Sequence, residues 1–286
     1  MKDCSPLLLD LGPEDPGIFV SQSVHKQQAG FSMTSQIHKK DSHIKGQDRY
    51  VPHKRVNNAF MMHASTSPLY QLFAALDVNA KMHEGEGGKK LWVDAVKTVI
   101  ETRKQVLRNC HYIRPLVPPM VHGKKWEEGN TEQMANDMDY WAFEPGAKWH
   151  GFDGYGKGQY FIDPMKLQFV TEGIDVENGG YEKFGIPGNI LANYLRENGI
   201  IPEKCDLNDI LFLMTPAESA TKMDDLVAKL IRFEQLIDED APMSEVLPSM
   251  YNACKEKCRG YTSRRLCQGM HDFYKDRKVS TLQKQL

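Results

Sequence analysis

Apolar residues in this chain fall into short isolated runs at first and into helical stripes later. Gly17-Ile18-Phe19-Val20, carried on to Ser23, reads as a strand, and a polar stretch rich in Lys, His, Gln and Ser follows as a loop through His53. Ala59-Phe60-Met61-Met62-His63-Ala64 is a second apolar run. Ser65-Thr66-Ser67-Pro68 carries helix-start signals, with Ser67 as N-cap and Pro68 at the first helical position. Leu69, Leu72, Phe73 and Leu76 continue at helical spacing. Gly85, Gly87 and Gly88 mark a turn before a long helix, on which Trp92, Ala95, Val96, Val99, Ile100, Val106 and Leu107 form an apolar stripe.

Pro115, Pro118 and Pro119 then interrupt the chain, as expected of a domain boundary. Residues 120–158 hold three of the four tryptophans among many glycines and read as irregular loop. Beyond them the pattern alternates. Gln159–Ile162, Leu167–Thr171 and Ile210–Met214 read as strands; Pro187–Asn198, closed by Gly199, and Pro216–Ile237 read as helices. Strands alternating with helices predict an α/β layer structure. After Pro242 the chain is helical and polar, with Val246, Leu247, Tyr251, Leu266, Met270 and Phe273 as its expected buried positions.

Bulk composition narrows the function classes. A hydrophobic content of 41% and a charged content of 26% are those of an ordinary globular protein, and 286 residues suffice for two domains. A formal net charge of -2 argues against binding driven by nucleic-acid or membrane charge. No apolar stretch approaches the roughly 20 residues needed to span a bilayer. Six scattered cysteines fit reduced thiols, and a cytoplasmic location is expected.

Candidate chemistry concentrates at Ser23-Val24-His25-Lys26. A lysine at a strand end, with a hydroxyl three residues earlier and an imidazole beside it, suits pyridoxal 5'-phosphate, which needs an amine, a phosphate donor and a nearby acid or base. A strand end reaching solvent also commonly carries a lysine. The small and polar residues of Gln27-Gln28-Ala29-Gly30-Phe31-Ser32 favour the cofactor reading, because they let a ring lie close to the backbone. In that reading Ser23 donates to phosphate, and His25 stacks on the ring, binds phosphate or handles a proton. The stretch His63-Ala64-Ser65-Thr66-Ser67-Pro68 offers hydroxyls and free backbone N–H groups at a helix start, an anion site or a plain N-cap. Gly85-Glu86-Gly87-Gly88-Lys89-Lys90 lacks the spacing of a phosphate loop and reads as a turn. Cys254, Cys258, Cys267 and His271 have spacings a zinc site could use, but helical i, i+4 spacing equally describes thiols along an apolar face, and no metal site is expected.

Taken together, Ser23–Ser32, Ser35-Gln36-Ile37-His38-Lys39-Lys40, Phe60–Pro68, Phe184-Gly185-Ile186-Pro187 and Arg196–Leu207 resemble the bacterial ornithine/lysine/arginine decarboxylase family over essentially the whole chain. One departure is Met33, where the family's attachment signature usually has Gln. The resemblance implies a fold-type-I α/β architecture: the last part of a cofactor-binding large domain (1–118), a small α/β domain (119–240) and the start of a helical C-terminal domain (241–286). It implies Lys26 as the Schiff-base lysine, with Ser23, His25, Thr66 and Ser67 at the cofactor. It further implies a homodimer or higher oligomer in which Thr66 and Ser67 approach the partner subunit's phosphate, and L-ornithine as substrate, with lysine and arginine as the alternatives. In this family the aspartate at the pyridine nitrogen, the ring-stacking residue and the main phosphate loop precede the segment seen here. The chain is therefore expected to be a fragment, either inactive alone or an interaction module for a separately encoded half.

Overall fold

The chain divides into two compact units, Met1–Trp92 and Val93–Leu286, and the computed structural model describes residues 10–28, 31, 33–176 and 178–277. In the first unit β1 (Ile18–Ser23) leads into α1 (Val24–Gln27) and pairs antiparallel with β2 (Ser35–Lys40), with Ile18 opposite Lys40 and Ser23 opposite Ser35. The polar stretch before His53 is thus partly a strand. Its sequence Ser-Gln-Ile-His-Lys-Lys has a single strongly apolar residue and gives no alternation to read. Helices α2 (His53–His63) and α3 (Tyr70–Met82) follow, and the apolar run from Ala59 belongs to the last turns of α2. The expected helix start at Ser67 and Pro68 is displaced: Leu69 flanks α3 and no side chain caps it. The glycines at 85–88 do not precede the long helix but open it, as the first turn of α4 (Gly85–Asn109). Among the described apolar residues of this unit, only Val24 and Ile44 are buried.

The second unit is built on a four-stranded sheet. Its elements in chain order are β3 (Ile113–Pro115), the hairpin β4 (Met120–Val121) and β5 (Lys124–Lys125), α5 (Thr131–Met134), and β6 (Lys166–Thr171). Next come the hairpin β7 (Ile174–Asp175) and β8 (Gly180–Tyr181), α6 (Gly188–Glu197), β9 (Lys204–Cys205), β10 (Asp209–Leu213) and α7 (Ala220–Asp238). The sheet order is β3-β6-β10-β9, and each neighbouring pair is antiparallel. Leu167, Phe169 and Thr171 point inward from β6, Ile210 and Phe212 from β10, the period-2 pattern of a half-buried strand. Against β10 packs α6 with Ile190, Leu191 and Leu195, and α7 packs on α6 with Leu226, Leu230, Phe233 and Ile237, all buried. Each such side chain contributes about 1.5–3 kcal/mol by leaving water. The mixed helix and sheet agree with the expected α/β class.

Residues 120–158 are not irregular filling. Trp126 and Trp141 are buried edge to face at 5.7 Å in a cluster with Ile100, Val117, Met134 and Tyr140. Their indole N–H groups donate to the carbonyls of Tyr140 and Met134, both at 2.9 Å. Aromatic burial with satisfied polar tips organises a segment that has no repeating period to betray it. Gln159–Ile162 is not a strand; Phe161 makes a single bridge to Ala142. The helix expected from Pro216 begins at Ala220, after Ser219 accepts the Lys222 N–H at 3.3 Å.

Short helices α8 (Met243–Val246), α9 (Pro248–Ala253) and α10 (Lys255–Cys258) precede α11 (Ser263–Asp276). On α11 Phe273 is exposed, while Cys267 and His271 turn inward. His271 donates through Nε2 to the Glu182 carbonyl at 2.9 Å, and its ring lies over Gly185, where any Cβ would come within 2.1 Å of Nδ1. Glu234 of α7 is buried and accepts the backbone N–H groups of His111, Tyr112 and Ile113, each at 2.8 Å. Among the described residues no helix is long and apolar enough to cross a membrane.

Candidate active site

Ser23 ends β1 with extended backbone angles and Val24 begins the single turn of α1, so the hydroxyl, imidazole and amine come from one strand-to-helix corner. Val24 is the buried anchor of that corner, and its N–H donates to the Thr34 carbonyl at 3.2 Å. The same carbonyl accepts from Nδ1 of His25 at 2.8 Å. A carbonyl can only accept, so the proton sits on Nδ1 and Nε2 is left as the available ring nitrogen. Thr34 is itself buried, its hydroxyl donating to the Phe31 carbonyl at 3.0 Å. Next to it Met33 takes the left-handed region at φ 74°, an uncommon conformation for a side chain of that size.

Lys26 is exposed and has no hydrogen-bonding or ionic partner among the described residues; Ser23 is exposed too, and His25 half-buried. Ala29, Gly30 and Ser32, expected to give a ring close access to the backbone, lie outside the described residues. A free primary amine, a hydroxyl three residues before it and an imidazole with one committed nitrogen form a donor set that fits pyridoxal phosphate. The burial that would desolvate the amine is not supplied by this corner.

Thr66 and Ser67 stand exposed in the connection between α2 and α3. The Ser67 N–H is taken by the Ser65 hydroxyl at 3.2 Å, which in turn donates to the Ser67 carbonyl at 3.3 Å. Of the segment's backbone N–H groups that of Ser67 is thereby occupied, and the Thr66 and Ser67 hydroxyls stand exposed. Among the described residues no hydrogen bond or ion pair joins Thr66 or Ser67 to the Ser23–Lys26 corner. The opposite end of α3 does reach it: buried Asn79 donates through Nδ2 to Gln28 at 3.1 Å, two residues beyond Lys26. At 1.5 Å per residue, the start of α3 lies about 14 Å along the helix from Asn79. Sequence reading missed both supports, Thr34 and Asn79. A lone threonine after a turn and an asparagine within a helix carry no pattern of their own, and the Asn79 contact spans 51 residues.

Among the described residues Cys254, Cys258, Cys267 and His271 do not converge on a common point. Cys254 is exposed while Cys267 and His271 are buried, and burial pushes the Cys267 thiol up to about 12, with Arg264 opposing and Asp240 reinforcing the shift. Of these groups only Cys267 is a thiol packed in the interior.

Comparison with known proteins follows the same lines. Residues 1–222 match the family model described as Orn/Lys/Arg decarboxylase, major domain. The inducible ornithine decarboxylase of Escherichia coli (strain K12) is 63% identical over 286 residues, 100% of this chain and 39% of that protein. The constitutive ornithine decarboxylase of the same strain is 62% identical over 284 residues, covering 99% of this chain and 40% of its own length. The lysine decarboxylase of Hafnia alvei is 32% identical over 273 residues, 95% of this chain and 34% of its own. Among solved structures, lysine decarboxylase A from Pseudomonas aeruginosa superposes with a TM-score of 0.79 at 31% identity, covering 93% of this chain and 35% of that one. The constitutive lysine decarboxylase of E. coli gives 0.74 at 30% identity, covering 90% and 34%. The chain thus spans about 40% of the length of the curated ornithine decarboxylases it matches.

Proposed function

The chain belongs to the Orn/Lys/Arg decarboxylase family, and on that premise we propose that it is the lysine-bearing part of an ornithine decarboxylase, which converts L-ornithine to putrescine and CO2 with pyridoxal 5'-phosphate. The observation that carries the substrate is the gap in identity: 63% and 62% to two ornithine decarboxylases against 32% to a lysine decarboxylase, over nearly the same stretch. Placement in the cytoplasm and assembly as a homodimer or higher oligomer belong to the same proposal.

Lys26 is the group that holds the cofactor, and Ser23 and His25 flank it. Pyridoxal phosphate held at Lys26 would supply the electron sink for the pair left on Cα when CO2 departs. His25 is held by Thr34 through Nδ1, so Nε2 is the atom it can turn toward phosphate or use to move a proton. The Lys26 amine would be a second candidate for returning the proton to Cα. Thr66 and Ser67 belong to the site of a second subunit in this reading, and the length of α3 between them and Asn79 supports it.

A second reading, that the chain acts only with the remainder of a decarboxylase supplied from elsewhere, is favoured by one observation. Phe60, Met61, Met62, Tyr70 and Phe73 of the first unit are all more than half exposed. Such apolar surface is characteristic of an interface. Incubation with pyridoxal phosphate, borohydride reduction and peptide mass mapping test the cofactor assignment: the adduct is expected on Lys26 and absent in Lys26→Ala. Labelled CO2 release from ornithine is expected only when the chain is mixed with the N-terminal portion of a related ornithine decarboxylase. Turnover by the 286-residue chain alone would refute the second reading, and an adduct on another lysine the first.

A further inference from the structure

One imidazole and two carboxylates converge in the second unit, remote in sequence from the lysine corner. β4 and β5 form a two-residue hairpin in which Val121 faces Lys124, and its loop residues His122 and Gly123 have φ of 50° and 76°. Two successive positive φ values are the signature of the turn whose twist matches the flanking strands. That turn fixes His122 at the hairpin tip, with its ring edge-on to Tyr140 at 5.7 Å. Beneath lie the buried rings of Trp126, Tyr140 and Trp141, so the tip stands on packed core rather than on a free loop. Fifteen residues on, Asp137 caps the 3-10 turn Met138–Trp141, Oδ1 accepting the Asp139 N–H at 3.0 Å. This bond aims Oδ2 at His122, 3.0 Å from Nε2, and Oδ2 of Asp139 lies 3.7 Å from the same nitrogen. The three ligand atoms all lie within 4.8 Å of one another.

The two carboxylates repel each other across the ring nitrogen they share, and a divalent cation among the three groups relieves that repulsion with twice the charge a protonated ring could bring. Zinc binds imidazole nitrogen at about 2.0–2.1 Å and carboxylate oxygen at about 2.0–2.2 Å, so tetrahedral ligand atoms stand about 3.4 Å apart. The two measured distances bracket that value. We propose that His122, Asp137 and Asp139 form a surface site for a divalent transition metal, Zn2+ foremost, with the remaining coordination positions open to water. One nitrogen and two oxygens favour zinc over the all-oxygen preference of calcium or magnesium. The ion neutralises both carboxylates and ties the hairpin to the 3-10 turn, which makes it a clamp on the tryptophan cluster.

The test is titration of the tag-free, chelator-treated 286-residue chain with Zn2+ by calorimetry, and with Co2+ by visible absorption. One saturable equivalent is expected. His122→Asn keeps a residue suited to the left-handed turn but removes the imidazole, and Asp139→Asn removes a charge that no cap depends on. Each is expected to weaken binding at least about tenfold, while the surface control His53→Ala leaves it unchanged and all variants keep the parent circular dichroism. Zinc is also expected to raise the melting temperature of the parent but not of the two variants. Affinity equal in parent, His122→Asn and Asp139→Asn, or the absence of any saturable equivalent, would overturn the proposal.

Discussion

Residues 93–277 hold a core of large apolar side chains: Trp126, Phe169, Phe233, Leu191 and Leu195 are almost wholly buried, although others such as Ile201 and Phe152 face outward. In residues 10–92 only Val24 and Ile44 are, while Phe31, Met33, Met61, Met62 and Tyr70 are each more than 60% exposed. Both units have regular helices, so the difference is not one of secondary structure. Backbone hydrogen bonds can be satisfied locally, turn by turn, whereas a core needs surfaces from several elements at once. The second unit supplies those surfaces itself. The first unit, which carries Lys26, has the elements without a core, and its apolar faces call for cover that its described residues do not provide.

Glu234→Ala should have the largest effect on this comparison. It strips three backbone donors of their acceptor, and a loss of about 3 kcal/mol is expected in urea unfolding of the second unit. A loss below about 1 kcal/mol would mean the unit is not held as described. Gly185→Ala should cost about 2–3 kcal/mol by forcing a methyl into the His271 ring, with Gly180→Ala, which meets nothing within 4 Å, as the quiet control. Thiol labelling at pH 8 gives a graded readout. Cys254 is exposed and should react at once, while Cys110 and Cys267, both pushed up to about 12 chiefly by burial, should react only on unfolding. In the first unit Met62→Ser, at a side chain 80% exposed, should change stability by less than about 0.5 kcal/mol. A cost above about 1.5 kcal/mol would show that this surface is covered.

The parts of the fold legible in the sequence are those with a period. The stripe from Trp92 to Leu107 became α4, the run Leu167–Thr171 lies within β6, and Pro187–Asn198 brackets α6. β2 and the tryptophan cluster were not legible, the first because its side chains are mostly polar, the second because contacts between 100 and 162 have no local pattern. The strand-to-helix corner of Ser23, His25 and Lys26 was legible as chemistry on an apolar run. Its fixing contact was not, since Thr34 acts through a backbone carbonyl that any residue would also possess. Ser67 misled because a serine before proline is the usual helix cap, whereas α3 begins only at Tyr70 with Leu69 before it and no side-chain cap.

Glu234 also has a temporal consequence. Its two oxygens hold the amides of His111, Tyr112 and Ile113 together. None of the three can be freed from it by a fluctuation of β3 without breaking a bond to α7, and a displacement of α7 frees all three at once. One carboxylate thereby converts what would be three separate fraying events at a strand end into a single opening, with its rate set by a nineteen-residue helix.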